Sequence, residues 1–140
     1  MSERNAELHR CFFEAYNVGD IEAFIAYCDP GIEFHSTFSV VGGVYHGRDG
    51  MREYLRDLQD AWGGDIHVEP EAYFDLGEQT LACFVLHGHG SQSGVQVAMP
   101  LNQVANWRND LIVHLKSSVH REDALSDLGV SEAQLEPIEP

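Results

Sequence analysis

The chain has 140 residues, 44% hydrophobic and 22% charged, which is enough for one domain with a buried core and argues against disorder. Eight Lys and Arg against 23 Asp and Glu give a net charge of −15 with histidine neutral, which excludes bulk attraction to nucleic acid or to an anionic membrane. Cys11, Cys28 and Cys83 are odd in number and lack Cys-x-x-Cys spacing, so neither a disulfide framework nor a thiolate metal site is expected.

The N-terminus, MSERNAELHR, has no apolar leader segment and no run is long enough to span a bilayer, so a cytoplasmic location is expected. Leu8, Cys11, Phe12, Ala15 and Tyr16 recur at helical spacing and predict a helix over 3–17, with Ser2 as its cap. Asn17-Val18-Gly19 ends it, and Asp20 caps a short second helix that turns Ile21, Phe24, Ile25 and Cys28 inward. A strand follows over 32–37, with Ile32, Phe34 and Ser36 on one face and Glu33 and His35 on the other. The Gly-rich stretch 38–47 reads as a loop and a candidate lid. A third helix covers about 48–62, its inner stripe made by Met51, Tyr54, Leu55, Leu58 and Trp62.

From residue 66 the period changes to two. A strand runs to Asp75, with Pro70 marking an edge position or a bulge. Strands over 79–90, 95–107 and 111–119 follow, the last two joined by the hairpin turn Arg108-Asn109-Asp110. Arg121 to Leu128 forms a terminal helical turn or two, stopped by Gly129, and an acidic tail occupies 130–140. Between Glu78 and Asp110 there is no acidic residue, and Arg108 is the only basic one. A sheet covered on both faces explains this. In a chain this small the second cover is expected to be another copy, giving a homodimer through the outer face of the sheet.

Three helices followed by a strongly curved sheet resemble the nuclear-transport-factor-2-like superfamily. The run Phe13-Glu14-Ala15-Tyr16-Asn17-Val18-Gly19-Asp20 looks like that group's opening, and Ile32 to Ser36 looks like its first strand. The segment from Gly42 to Leu55, with Tyr45, Gly47, Gly50 and Tyr54, resembles the Gly-x-Tyr-x-Gly-x-x-Gly-x-x-x-Phe/Tyr pattern of SnoaL-like proteins. Trp107 to Ile112 and His120 to Leu125 resemble its last turn and its ending. The resemblance implies an α+β fold, a cone-shaped barrel of a mainly antiparallel sheet wrapped around three N-terminal helices. It covers about residues 6–128, within a single domain expected over 1–129, with 130–140 as tail.

Enzymes of this superfamily work inside the cone with an acid/base group and opposing hydrogen-bond donors. The ketosteroid-isomerase-like donor Tyr falls at Phe12, its base at Ser36, and its second acid at Asn102 or Gln103. The polyketide-cyclase base also falls at Gln103. The limonene-epoxide-hydrolase-like Asp-Arg-Asp set falls on His87, Val85 and Ser117, with its water-holding pair on Phe34 and Ser36. None of the carboxylates is kept. By strand parity His87 and His89 both point inward, and His87, at a position where the resemblance puts a catalytic residue, is expected to act as acid or base, with Gln103 as oxyanion donor and Ser36 and Ser117 positioning polar groups. Phe12, Tyr16, Phe34, Tyr54, Leu58, Trp62, Val85, His89, Ala105 and Leu115 are expected to line the substrate. Cys83 is also read as inward, whereas His35 and His114 face away from the cone and His9 and His67 read as solvated. His87 and His89 share a face but lack a third ligand, so no metal and no cofactor is expected.

The expected function is a small-molecule pocket protein, a cofactor-independent isomerase, cyclase or hydrolase acting on an apolar terpenoid-, steroid- or polyketide-like molecule. The alternative is a non-catalytic ligand-binding or dimerisation module of the same fold.

Overall fold

The first helix, α1 (Arg4–Asn17), buries Ala6, His9, Phe12 and Phe13. Steps of three and four residues place these on one face. The stripe is rotated from the expected one, since Leu8, Cys11 and Ala15 are only half-buried. A computed structural model describes residues 3–36, 44–62, 65–89 and 96–137, so the expected cap Ser2 lies outside the described residues. Gly19, at φ 82°, ends the first helical segment. The Asp20 carboxylate accepts from Ala23 N–H at 3.1 Å and caps α2 (Ile21–Ala26).

Strand β1 (Cys28–His35) and the short β2 (Val44–His46) lead into α3 (Gly47–Trp62), and β3 (His67–Asp75), β4 (Gln79–His89), β5 (Gln96–Arg108) and β6 (Leu111–Ser118) follow. Helix α4 (Arg121–Leu128) stops at Gly129, which adopts the left-handed conformation. The expected lid lies outside the described residues over 38–43, and its end forms β2.

The strands form one sheet in the order β2-β1-β6-β5-β4-β3, with β1 and β6 parallel and the other pairs antiparallel. The α+β class holds, with a curved, mainly antiparallel sheet packed against α1, α2 and α3. The sheet does not close into a barrel, because β2 and β3 stand as its two edges. Asn109 and Asp110 both have positive φ, 53° and 66°, as a two-residue hairpin turn requires. Pro70 lies on the edge strand, where the register slips between Pro70 and Ala72. That slip turns Tyr73 inward with Val68 and sends Phe74 to the outer face.

The main core lies between the inner face of the sheet and the N-terminal helices. A second cluster, Leu81, Cys83, Val104 and Ala124, lies on the other face, with Leu125, Leu128 and Leu135 packed against it. Part of the charge-free outer face is therefore covered by the chain's own α4 and by Leu135 rather than by a second copy. No helix among the described residues is long and apolar enough to cross a membrane.

Candidate functional site

The inner face of the sheet and the helices enclose a cavity of about 40 Å³. Seven aromatic side chains line it: Phe12, Phe13, Tyr16, Phe24, Phe34, Tyr54 and Phe84. Met51, Leu55, Leu58, Val68, Leu86, Leu101 and Leu115 complete the apolar wall, and Gln103 and Ser117 add polar groups from β5 and β6. The rings lock one another. Phe12 stacks on Phe24 at 4.1 Å, Phe34 meets Tyr54 edge-on at 4.6 Å, and Phe13 meets Phe84 edge-on at 4.8 Å. Among the described lining residues there is no carboxylate and no imidazole. Burial pushes the Tyr16 phenol up to about 12 and raises Tyr54 as well, so both hydroxyls stay protonated near neutral pH and can donate.

Behind the cavity runs a buried polar chain centred on His9, which is fully buried. Trp107 Nε1 donates to Thr80 Oγ1 at 2.8 Å. An indole N–H can only donate, so the Thr80 hydroxyl turns its own hydrogen to His9 Nδ1, at 2.8 Å. His9 Nε2 then carries the ring proton and donates to Gln103 Oε1 at 2.9 Å. Gln103 Nε2 donates to Ser117 Oγ at 3.3 Å. The chain thus runs in one direction and ends at the cavity wall. Phe12, Phe13, Tyr73 and Trp107 surround the imidazole, with ring centroids 5.0 to 6.3 Å away. Desolvation pulls its pKa down to about 4, only partly offset by the Gln103 hydrogen bond, so His9 is neutral at physiological pH.

The geometry corrects the strand parity expected for β4. Gln103 pairs with Ala82, and paired residues in an antiparallel ladder share a face. Ala82, Phe84 and Leu86 therefore belong to the inner core, and Cys83, Val85, His87 and His89 face the other side. His87 stacks on His67 at 4.7 Å, and its Nε2 lies 3.1 Å from Glu69 Oε1. His89 lies 3.9 Å from Asp65. These residues stand outside the cone.

Gln103 and Ser117 meet at the cavity, with Phe12, Tyr16, Phe34, Tyr54, Leu58 and Leu115 in its wall. Ser36 is half-buried and hydrogen-bonds the Tyr54 side chain. Ala105 is buried in the same core but does not line the cavity. Trp62 ends α3, and its side chain lies outside the described residues.

The reading of His9 as solvated is overturned. The signal was in the sequence: His9, Phe12, Phe13 and Tyr16 stand at i, i+3, i+4 and i+7, a helix face in which the histidine belongs. Thr80 and Trp107 gave no such signal, since only strand pairing brings them beside α1.

No curated protein matches the sequence significantly. Many solved structures share its fold. An NTF2-like protein of unknown function from Burkholderia pseudomallei superposes with a TM-score of 0.76 at 17% identity, covering 90% of this chain and 97% of that one. TerC, co-crystallised with polyporic acid, gives 0.73 at 17% identity, with 89% and 96% covered. IdmH from Streptomyces antibioticus, a proposed polyketide cyclase, gives 0.72 at 19% identity, with 91% and 100% covered. The sequence profile of the SnoaL-like domain matches residues 9–115, most of the chain, and the chain belongs to the SnoaL-like domain family.

Proposed function

We propose that this protein binds a small, largely aromatic molecule of the polyketide type inside the cone and orients it through Gln103 and Ser117. The observation that carries this reading is the Gln103–Ser117 pair, fixed by His9 from behind and set in a wall of aromatic rings. A cone filled only for stability would be expected to hold Leu, Ile, Val and Phe at those two positions. A polar pair there suits a ligand with one carbonyl or hydroxyl on an apolar body.

The chemistry available is donation rather than proton removal. Ser117, Tyr16 and Tyr54 can each offer an O–H to a ligand oxygen. The described wall holds no group to act as base, and His9 is neutral with both ring nitrogens engaged. Ligand binding, with at most polarisation of a carbonyl, therefore fits better than acid/base turnover through His87. The likeness to TerC and IdmH supports the ligand class by analogy of fold alone.

A cavity of about 40 Å³ holds a few water molecules. A larger ligand enters as wall side chains swing aside. The half-buried Tyr16, Tyr54 and Leu55 and the unbranched Met51 are the ones able to move.

The test is a thermal-shift and fluorescence titration with phenols, naphthoquinones and polycyclic hydroxyketones, graded by size. The expected result is saturable binding weakened about tenfold in Ser117→Ala and Gln103→Leu, and unchanged in His87→Ala. Failure of every compound to shift the melting temperature overturns the reading. So does binding that ignores both wall substitutions.

A further inference from the structure

The outer face of the sheet carries a second convergence of polar groups, unrelated to the cavity. Glu33 and His35 stand two apart on β1, so both side chains emerge on the same side. The parallel pairing of β1 with β6 sets His114 directly beside Glu33. His35 Nε2 lies 3.4 Å from Glu33 Oε1, and His114 Nε2 lies 4.0 Å from Glu33 Oε2. One ligand atom from each of the three falls within 4.8 Å of the others. The two imidazoles lie 4.9 Å apart at 37°.

We propose that Glu33, His35 and His114 form a binding site for a divalent transition-metal ion of the zinc class. Metal–ligand bonds of about 2.0 Å in a tetrahedron hold donor atoms roughly 3.3 Å apart, so small rotamer changes complete the site. Two imidazoles and one carboxylate suit Zn²⁺, Co²⁺ or Ni²⁺, not Mg²⁺ or Ca²⁺, which prefer oxygen ligands throughout. The side chains are 35–44% exposed, so an ion reaches them from solvent, and water completes its coordination. The chain's single lysine, Lys116, pairs with His35 in the ladder but is held by Asp127 at 3.0 Å, which offsets its charge. A bound ion would clip β1 to β6 just beyond the register shift between Cys28 and Glu33.

The experiment is calorimetric titration of the full chain, without an affinity tag, with Zn²⁺ at neutral pH, followed by Co²⁺ absorption spectroscopy. One equivalent of Zn²⁺ should bind and raise the melting temperature, and Co²⁺ added to the metal-free protein should give a visible d–d band that Zn²⁺ abolishes and Mg²⁺ does not. His114→Ala and Glu33→Gln should each weaken binding about tenfold or more, and His67→Ala and His87→Ala should leave it unchanged. Melts of the metal-free variants check their folding. Should His114→Ala not fold, Glu33→Gln, on a half-exposed side chain, decides alone. No stoichiometric binding overturns the proposal. So does binding that survives Glu33→Gln, or that is lost with the His67 and His87 pair instead.

Discussion

The two faces of one sheet treat histidine in opposite ways. On the inner side His9 is dry, ringed by aromatic side chains and bonded at both nitrogens, with its proton fixed by a chain that starts at Trp107. On the outer side His67 and His87 stack in partial contact with water beside Glu69. His35 and His114 lie tilted against each other, also half-exposed, beside Glu33. The inner histidine is a structural strut that orients Gln103. The outer ones are reachable by protons and ions. The difference lies in desolvation and partner count, since the residue type is the same.

The largest expected effect comes from cutting the inner strut. His9→Ala removes packing against Phe12, Phe13, Tyr73 and Trp107 and leaves Gln103 Oε1 and the Thr80 hydroxyl without their buried partner, for a loss of at least about 4 kcal/mol in urea unfolding. A loss below about 1 kcal/mol would mean that the chain is not buried as described. The β4 parity gives the next contrast. Phe84→Ala should cost about 3–5 kcal/mol, and the adjacent Val85→Ala at most about 1 kcal/mol, because only Phe84 enters the inner core. The reverse order would restore the parity that puts His87 inside.

Acid separates the faces next. The His9 pKa drops from 6.5 in the unfolded chain to about 4 in the fold, so the unfolded state binds the extra proton between those values. The stability this supplies is complete above pH 6.5 and lost as pH falls through about 4, a loss of roughly 3 kcal/mol. Easing self-repulsion among the acidic residues works in the opposite direction, so the measurement is the difference in pH slope between wild type and His9→Gln. Equal slopes would remove His9 as the source. The smallest effect belongs outside: His87→Ala should change stability by no more than about 0.5 kcal/mol, since its contact with Glu69 is solvent-exposed. A larger loss would make the outer pair structural.

Much of the fold was legible. The 3.6-residue period of α1 and α3, the glycine stops, the Asp20 cap, the Asn109-Asp110 turn and the Pro70 irregularity all came from local chemistry, and the structure keeps them. The site was legible in part. Gln103, Ser117 and the aromatic wall from α1, β1 and α3 follow from period and parity. His87 did not, because Leu81 to Leu86 is a continuous apolar run with both faces covered, and such a run carries no alternation from which to read its inner side.

By itself the sequence determined the family, the order of the elements other than β2 and most of their ends, since these depend on neighbours within a few residues, whereas β1 begins at Cys28 rather than at Ile32. Tertiary structure decided which face of β4 meets the helices, that Thr80 and Gln103 close on His9, and that His114 stands beside Glu33. Each of these rests on register between strands far apart in the chain. A slip of one residue exchanges every inner side chain for an outer one.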